Sequence, residues 1–227
     1  MPLILSIDTS TRSCSVALHQ DQMLVSCYEL FTDKSSSSML TTLMQNVVEQ
    51  AGFKLSALDA VAVGKGPGSY TGLRIAVSTA KGLCFALDKP LIAINTLQGM
   101  AAQIQGFFEE STLLCPMIDA RRMEVFCAVF DNNLNFVSPT QAKIIDETAF
   151  DDILKNCKMI FFGDGAAKCK PALQHNPNAI LLPELIYPSA KTVGFLAKQS
   201  FDNQIFEDIE TFEPYYLKDF IGTVSKK

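Results

Sequence analysis

The chain has 227 residues, 48% of them hydrophobic and 19% charged, enough for one large domain or two small ones around a sizeable core. Its net charge of -5 argues against a protein that grips a phosphate backbone alone, because that affinity comes from Lys and Arg displacing counterions. No run reaches ~18 consecutive apolar residues, and "MPLILSIDTS" lacks a basic leader region, so neither a membrane helix nor a signal peptide is expected.

"LILSID", "CSVALH" and "MLVSCYEL" read as three short strands joined by tight turns. The polar stretch "FTDKSSSS" follows, its serines offering helix N-caps. From Met39 to Ala51 the apolar positions Leu40, Leu43, Met44, Val47, Val48 and Ala51 recur at helical spacing and form one stripe. The stripe fits an ordinary core, or an exposed seam for helix-on-helix docking. "LSALD" is a helical turn and "AVAV" a buried strand, and then comes "GKGPGSYTGLR", Gly64 to Arg74. A helix from about Thr71 to Leu87, apolar almost all round, is expected to be covered on more than one side; "PLIAI" and "TLQGMAAQI" add a strand and a helix.

The pattern then restarts. "TLLCPMID" ends in Asp119 as "LILSID" ends in Asp8, and "MEVFCAVFD" supplies the next strand, which points to a duplicated α/β fold. The second half continues with a helix in "ETAFDDILKNC", a strand in "KMIFFG", the turn "DGAAK", a strand in "AILL" and a helix in "SAKTVGFLAKQSF", with the last residues expected to fray.

Four features bear on chemistry. A Walker loop needs a Lys-Ser or Lys-Thr pair after its glycines, and the dinucleotide fingerprint needs a third glycine where Ser69 or Thr71 stands. Two readings of the glycine stretch therefore stand: a tight strand-to-helix turn, or an anion cradle at a helix N-terminus. Asp8, with Thr9 and Ser10, stands where actin-like and sugar-kinase-like folds hold metal-bound phosphate, although Thr9 occupies the place of the usual glycine; capping of the turn is the other reading. The charges Asp119, Arg121, Arg122 and Glu124 suit a solvated or ion-paired hairpin turn. The two histidines, His19 and His175, have no ligand or triad spacing, which argues against a His-built metal site and a Ser-His-Asp triad; seven scattered cysteines without CxxC suit reduced thiols and a cytoplasmic location.

The segments "ILSIDTSTRSCSVAL", "AVGKGPGSYTGLRIAVSTAKGLCFAL", "IDARRMEVFCAVF" and "EPYYLK" together resemble the TsaB (YeaZ) family over almost the whole chain. The resemblance implies an actin-like (ASKHA) duplicated fold of two lobes, here residues 1–108 and 109–227, each a mixed sheet flanked by helices. It also implies a cytoplasmic, non-catalytic activating subunit of the complex that makes threonylcarbamoyladenosine in tRNA. Such a subunit pairs with the transferase TsaD and the ATPase TsaE and forms homodimers when alone. ATP and Mg are then expected only on the partners, no metal or cofactor on this chain, and tRNA contact only through the complex. The TsaD-type HxxxH pair is missing from "SSSSMLTTLMQ"; serines replace a family histidine before that helix, and Lys218 replaces a family arginine. By similarity the partner surface takes in Leu40, Leu43, Met44, Val47 and Val48, with Ser69, Tyr70, Thr71, Arg74 and Val77, so a charge at Leu43 or Val47 is expected to abolish pairing. The alternatives are an actin-like small-molecule kinase or nucleotide-binding protein, and a peptidase.

Overall fold

The computed structural model describes residues 1–31 and 39–217. Strand β1 (Leu3–Asp8) is the middle strand of the first sheet. It pairs antiparallel with β2 (Ser13–Gln20), which pairs with β3 (Met23–Phe31). On its other edge β1 runs parallel to β4 (Ala60–Gly66), and β4 to β5 (Leu91–Asn95). All six residues of β1 are buried, as expected of a strand covered on both faces. The order β3-β2-β1-β4-β5 repeats in the second half as β8-β7-β6-β9-β10. Those strands are β6 (Leu113–Asp119), β7 (Glu124–Phe130), β8 (Phe136–Ile144), β9 (Met159–Phe162) and β10 (Ala179–Leu181). The duplication read from the two Asp-ended strands therefore extends to complete sheets of one topology, the actin-like arrangement.

Helices α1 (Leu40–Glu49) and α2 (Tyr70–Leu87) share the core on one face of the first sheet. Helix α1 starts at Met39, which offers no capping side chain. The serines expected to cap it lie outside the described residues, as does Lys218. Helix α2 is capped by Ser69, whose side chain accepts from the Gly72 N–H, and ends at Asp88 in the left-handed conformation. Only one stripe of α2 is buried (Leu73, Ala76, Val77, Ala80, Cys84). Thr71, Arg74, Ser78, Gly82, Phe85 and Ala86 are exposed, so the helix is not covered on several sides as its composition suggested.

The last helix of each half crosses to the other sheet. Helix α3 (Thr96–Ala102) buries Leu97, Met100 and Ala101 against Leu114, Ile118, Phe130 and Phe162 of the second half. Helix α6 (Ala190–Asp202) buries Val193 and Ala197 against Ile4, Ala60, Ala62, Ile92 and Ile94 of the first. Each large apolar side chain so buried contributes ~1.5–3 kcal/mol, so the exchange ties the halves together.

Two expectations fail and one strand goes unread, each for a local reason. Residues 136–144 form β8, which the reading passed over, because Pro139 is tolerated on the edge strand of its sheet. The helix read into 147–157 shrinks to α4 (Asp151–Leu154), and "DGAAK" opens α5 (Ala166–Leu173), which continues through Pro171. A proline inside a helix forfeits a hydrogen bond, so the sequence signal for α5 is weak.

Candidate functional site

The end of β1 is locked by its own aspartate. Asp8 Oδ1 accepts from the Ser10 backbone N–H at 2.9 Å and from the Ser10 hydroxyl at 2.6 Å, closing an Asx turn. Asp8, Thr9 and Ser10 are 1%, 1% and 0% exposed. The second carboxylate oxygen, Oδ2, is buried without a hydrogen-bond partner among the described residues, facing Gly64, where a Cβ would overlap it. Burial pushes the Asp8 pKa up to about 6, against the opposing pull of the two Ser10 hydrogen bonds.

The glycine stretch closes over this turn. The Ser69 N–H donates to the Ser10 carbonyl at 2.6 Å, and the Thr9 hydroxyl donates to the Gly72 carbonyl at 2.7 Å. A Cβ on Gly68 would overlap the Ser10 carbonyl, and one on Gly72 the Thr9 carbonyl, so the two backbones meet in a way only glycine permits. Gly68 is needed for this approach, not for a left-handed φ; that conformation belongs to Gly66, at φ +113°. Strand β4 also runs through Gly66, so half of the expected turn is strand. Lys65 lies 3.8 Å from Glu207.

These contacts favour the turn reading of the glycine stretch: the Ser69 N–H and the bare faces of Gly68 and Gly72 are used on the Asp8–Ser10 turn, while the Gly66 N–H donates to the Thr96 hydroxyl at 3.1 Å. Asp8, Thr9 and Ser10, the candidate nucleotide contacts, all lie buried beneath the glycine loop. The cap reading holds for Asp8, through the turn at Ser10.

The C-terminal "EPYYL" meets the same loop, a link that spacing alone did not reveal. The Tyr215 N–H donates to the Lys65 carbonyl at 2.7 Å, and Arg74 Nε to the Tyr216 hydroxyl at 3.2 Å. The Arg74 guanidinium also stands 4.5 Å over the Tyr70 ring. Ser69, Tyr70, Thr71 and Arg74 are at or near the surface, as the partner-surface expectation requires. Leu40, Leu43, Met44, Val47, Val48 and Val77 are 0–7% exposed within the chain's own core, a correction to their placement on that surface. Helical spacing alone could not decide which partner buries a stripe.

The second half repeats the device with different chemistry. Asp119 Oδ1 accepts from the Arg121 N–H at 2.8 Å and forms an ion pair with Lys168. The Asp119 N–H donates to Asp164 at 3.0 Å, and a Cβ on Gly165 would stand 3.0 Å from that nitrogen. Burial works against ionisation, yet Lys168 and the Arg121 N–H hold the Asp119 carboxyl below its usual range. The ion-pair reading of this turn is correct, with Lys168 of α5 as partner. The sequence reading missed Lys168 because it ended "DGAAK" as a turn.

The peptidase alternative needs a serine and a base that substrate can reach. The serine found beside His19 is Ser6, which meets the same Gly194. They are 0% and 2% exposed, under α6.

The family model described as "TsaD: tRNA N6-adenosine threonylcarbamoyltransferase" matches residues 31–224. A transferase with that description from Symbiobacterium thermophilum is 30% identical over 150 residues, but only 42% of its length is covered. The tRNA threonylcarbamoyladenosine biosynthesis protein TsaB of Escherichia coli is 30% identical over 226 residues, covering 96% of each chain. The chain belongs to the TsaB (YeaZ) family. The solved structure of YeaZ from Pseudomonas aeruginosa superposes with a TM-score of 0.83 at 27% identity, covering 96% of this chain and all of that one. The TsaB fold is therefore present over nearly the whole chain, glycine loop and both Asp-ended strands included.

One consequence of the Asp8 burial is measurable. The folded state holds the Asp8 proton more tightly than the unfolded chain, so this group adds stability below pH ~4, which is lost as pH rises through about 6. The stability of the wild type relative to Asp8→Asn is expected to fall by about 2 kcal/mol between about pH 4 and pH 8 in urea unfolding. A difference that does not change with pH would contradict the buried, half-partnered carboxylate.

Proposed function

We propose that this chain is an accessory, activating subunit of the tRNA threonylcarbamoyladenosine machinery. It carries no transferase, ATPase or protease activity of its own, and works in the cytoplasm paired with a TsaD-type transferase and with the ATPase TsaE. ATP and Mg belong to those partners, tRNA is reached through the complex, and the chain alone forms a homodimer. The supporting observation is the sealed turn: the strand end where actin-like enzymes hold phosphate is filled by the chain's own glycine loop. The names of the Escherichia coli and Symbiobacterium relatives supply the pathway.

The partner surface in this reading is the exposed face of α2, with Ser69 and Tyr70 at its start. Phe85 is 83% exposed there. Among the described residues a Cβ on Gly82 would meet nothing within 4 Å, so their packing gives no reason for a glycine in mid-helix, whereas close approach of a partner helix does. Adding the chain to the transferase and ATPase is expected to restore tRNA modification. Phe85→Glu should weaken co-elution with the transferase about tenfold or more while leaving the melting temperature unchanged. Modification at full rate without the chain would overturn the proposal.

A further inference from the structure

Helix α6 links the second half back to the first sheet, and its seat holds two polar atoms left unmet among the described residues. His19, on β2, is 2% exposed and Ser6, on β1, is 0% exposed. Among the described residues, neither His19 Nδ1 nor Ser6 Oγ has a hydrogen-bond partner. Both lie against Gly194, where a Cβ would stand 2.6 Å from the His19 ring carbon Cε1 and 2.7 Å from Ser6 Oγ. The helix backbone thus rests directly on the imidazole, flanked by the apolar contacts of Val193 and Ala197. A neutral ring tolerates this contact, at the cost of one unmet acceptor or donor. An imidazolium does not, because both its N–H groups must be solvated or paired.

The charged groups around the seat are committed elsewhere. On α6, Lys191 pairs with Glu29 of β3 at 3.0 Å, and Lys198 pairs with Asp21 of the β2–β3 turn at 3.1 Å and with Asp202 at 2.5 Å. Helix α3, packed on α6, carries no charged residue, and the sheet residues under α6 (Ile4, Ala60, Ala62, Ile92, Ile94) are apolar. Asp8, the titratable group of β1, is tied to Ser10. We propose that α6 is a pH-dependent latch between the two halves, seated over neutral His19 and released when that ring takes a proton.

Burial alone lowers the His19 pKa to about 4. Its contribution to stability is therefore complete above about pH 6.5 and is lost as pH falls toward 4. Asp8 shifts the other way over nearly the same window, so the two groups offset each other in global stability and the latch must be read locally.

The test is amide hydrogen exchange of peptides within residues 190–202, corrected for intrinsic rates, at about pH 8 and about pH 5. The displaced pKa corresponds to an opening of α6 about 30-fold more frequent at the lower pH in the wild type, with no such change in His19→Gln. The His19 ring, assigned by NMR against His175→Gln, should remain neutral at about pH 5 in the native protein, a reading that needs no folded His19 variant. A ring that titrates near its ordinary 6.5, or equal pH dependence of α6 exchange in His19→Gln, would overturn the latch.

Discussion

Gly72→Ala is expected to lower stability by about 3 kcal/mol, a fall in Tm on the order of 10 °C, and Gly68→Val by at least as much. The added atoms have nowhere to go. The Cβ of residue 72 would overlap the Thr9 carbonyl oxygen and that of residue 68 the Ser10 carbonyl oxygen; both are backbone atoms of buried residues, and the Ser10 oxygen accepts from the Ser69 N–H. Relief requires lifting the first turn of α2 off the Asp8–Ser10 turn. That breaks the Ser69-to-Ser10 and Thr9-to-Gly72 bonds and opens the buried Asp8 to water. Gly82→Ala is the matched control on the same helix. Its Cβ meets open space, so helix propensity alone decides, and the variant should gain about 1 kcal/mol. Thermal unfolding of the three variants checks the pattern. A fully stable Gly72→Ala would show that the two loops are not in contact.

Val47→Asp is expected to cost roughly 4 kcal/mol or more in fold stability, whatever it does to pairing. Val47 is 0% exposed within the apolar cluster that includes Leu5, Val16, Val48 and Leu58. The charge must either stay unpaired in the core or expel α1 from the sheet. Thr42→Asp, one position before Leu43 on the exposed side of α1, should leave the melting temperature within ~0.5 kcal/mol of wild type. If Val47→Asp keeps its melting temperature and loses only its partner, the stripe faces outward and the core assignment is wrong.

These two predictions mark where the sequence was and was not legible. The duplication could be read because Asp8 and Asp119 end strands of the same pattern, and the repeated sheet order follows from it. The long helices α1, α2 and α6 were legible through their apolar period. Strand β8 and helix α5 were not, since Pro139 and Pro171 each sit where propensity forbids them and position in the fold allows them. In the site, sequence could frame the choice between turn and cradle but not make it. The deciding atoms, the carbonyls of Thr9 and Ser10, are some sixty residues from the glycines they meet. The same distance problem hid the seat of α6, where Gly194 meets His19 from the far end of the chain.

At the centre of this account is the end of β1, Asp8 to Ser10, covered by the chain's own glycine loop. Titration of the purified protein with Mg-ATP in a calorimeter addresses that claim without any partner present. The account predicts no saturable heat up to millimolar nucleotide; a one-to-one isotherm with micromolar affinity, abolished by Asp8→Asn, would contradict it.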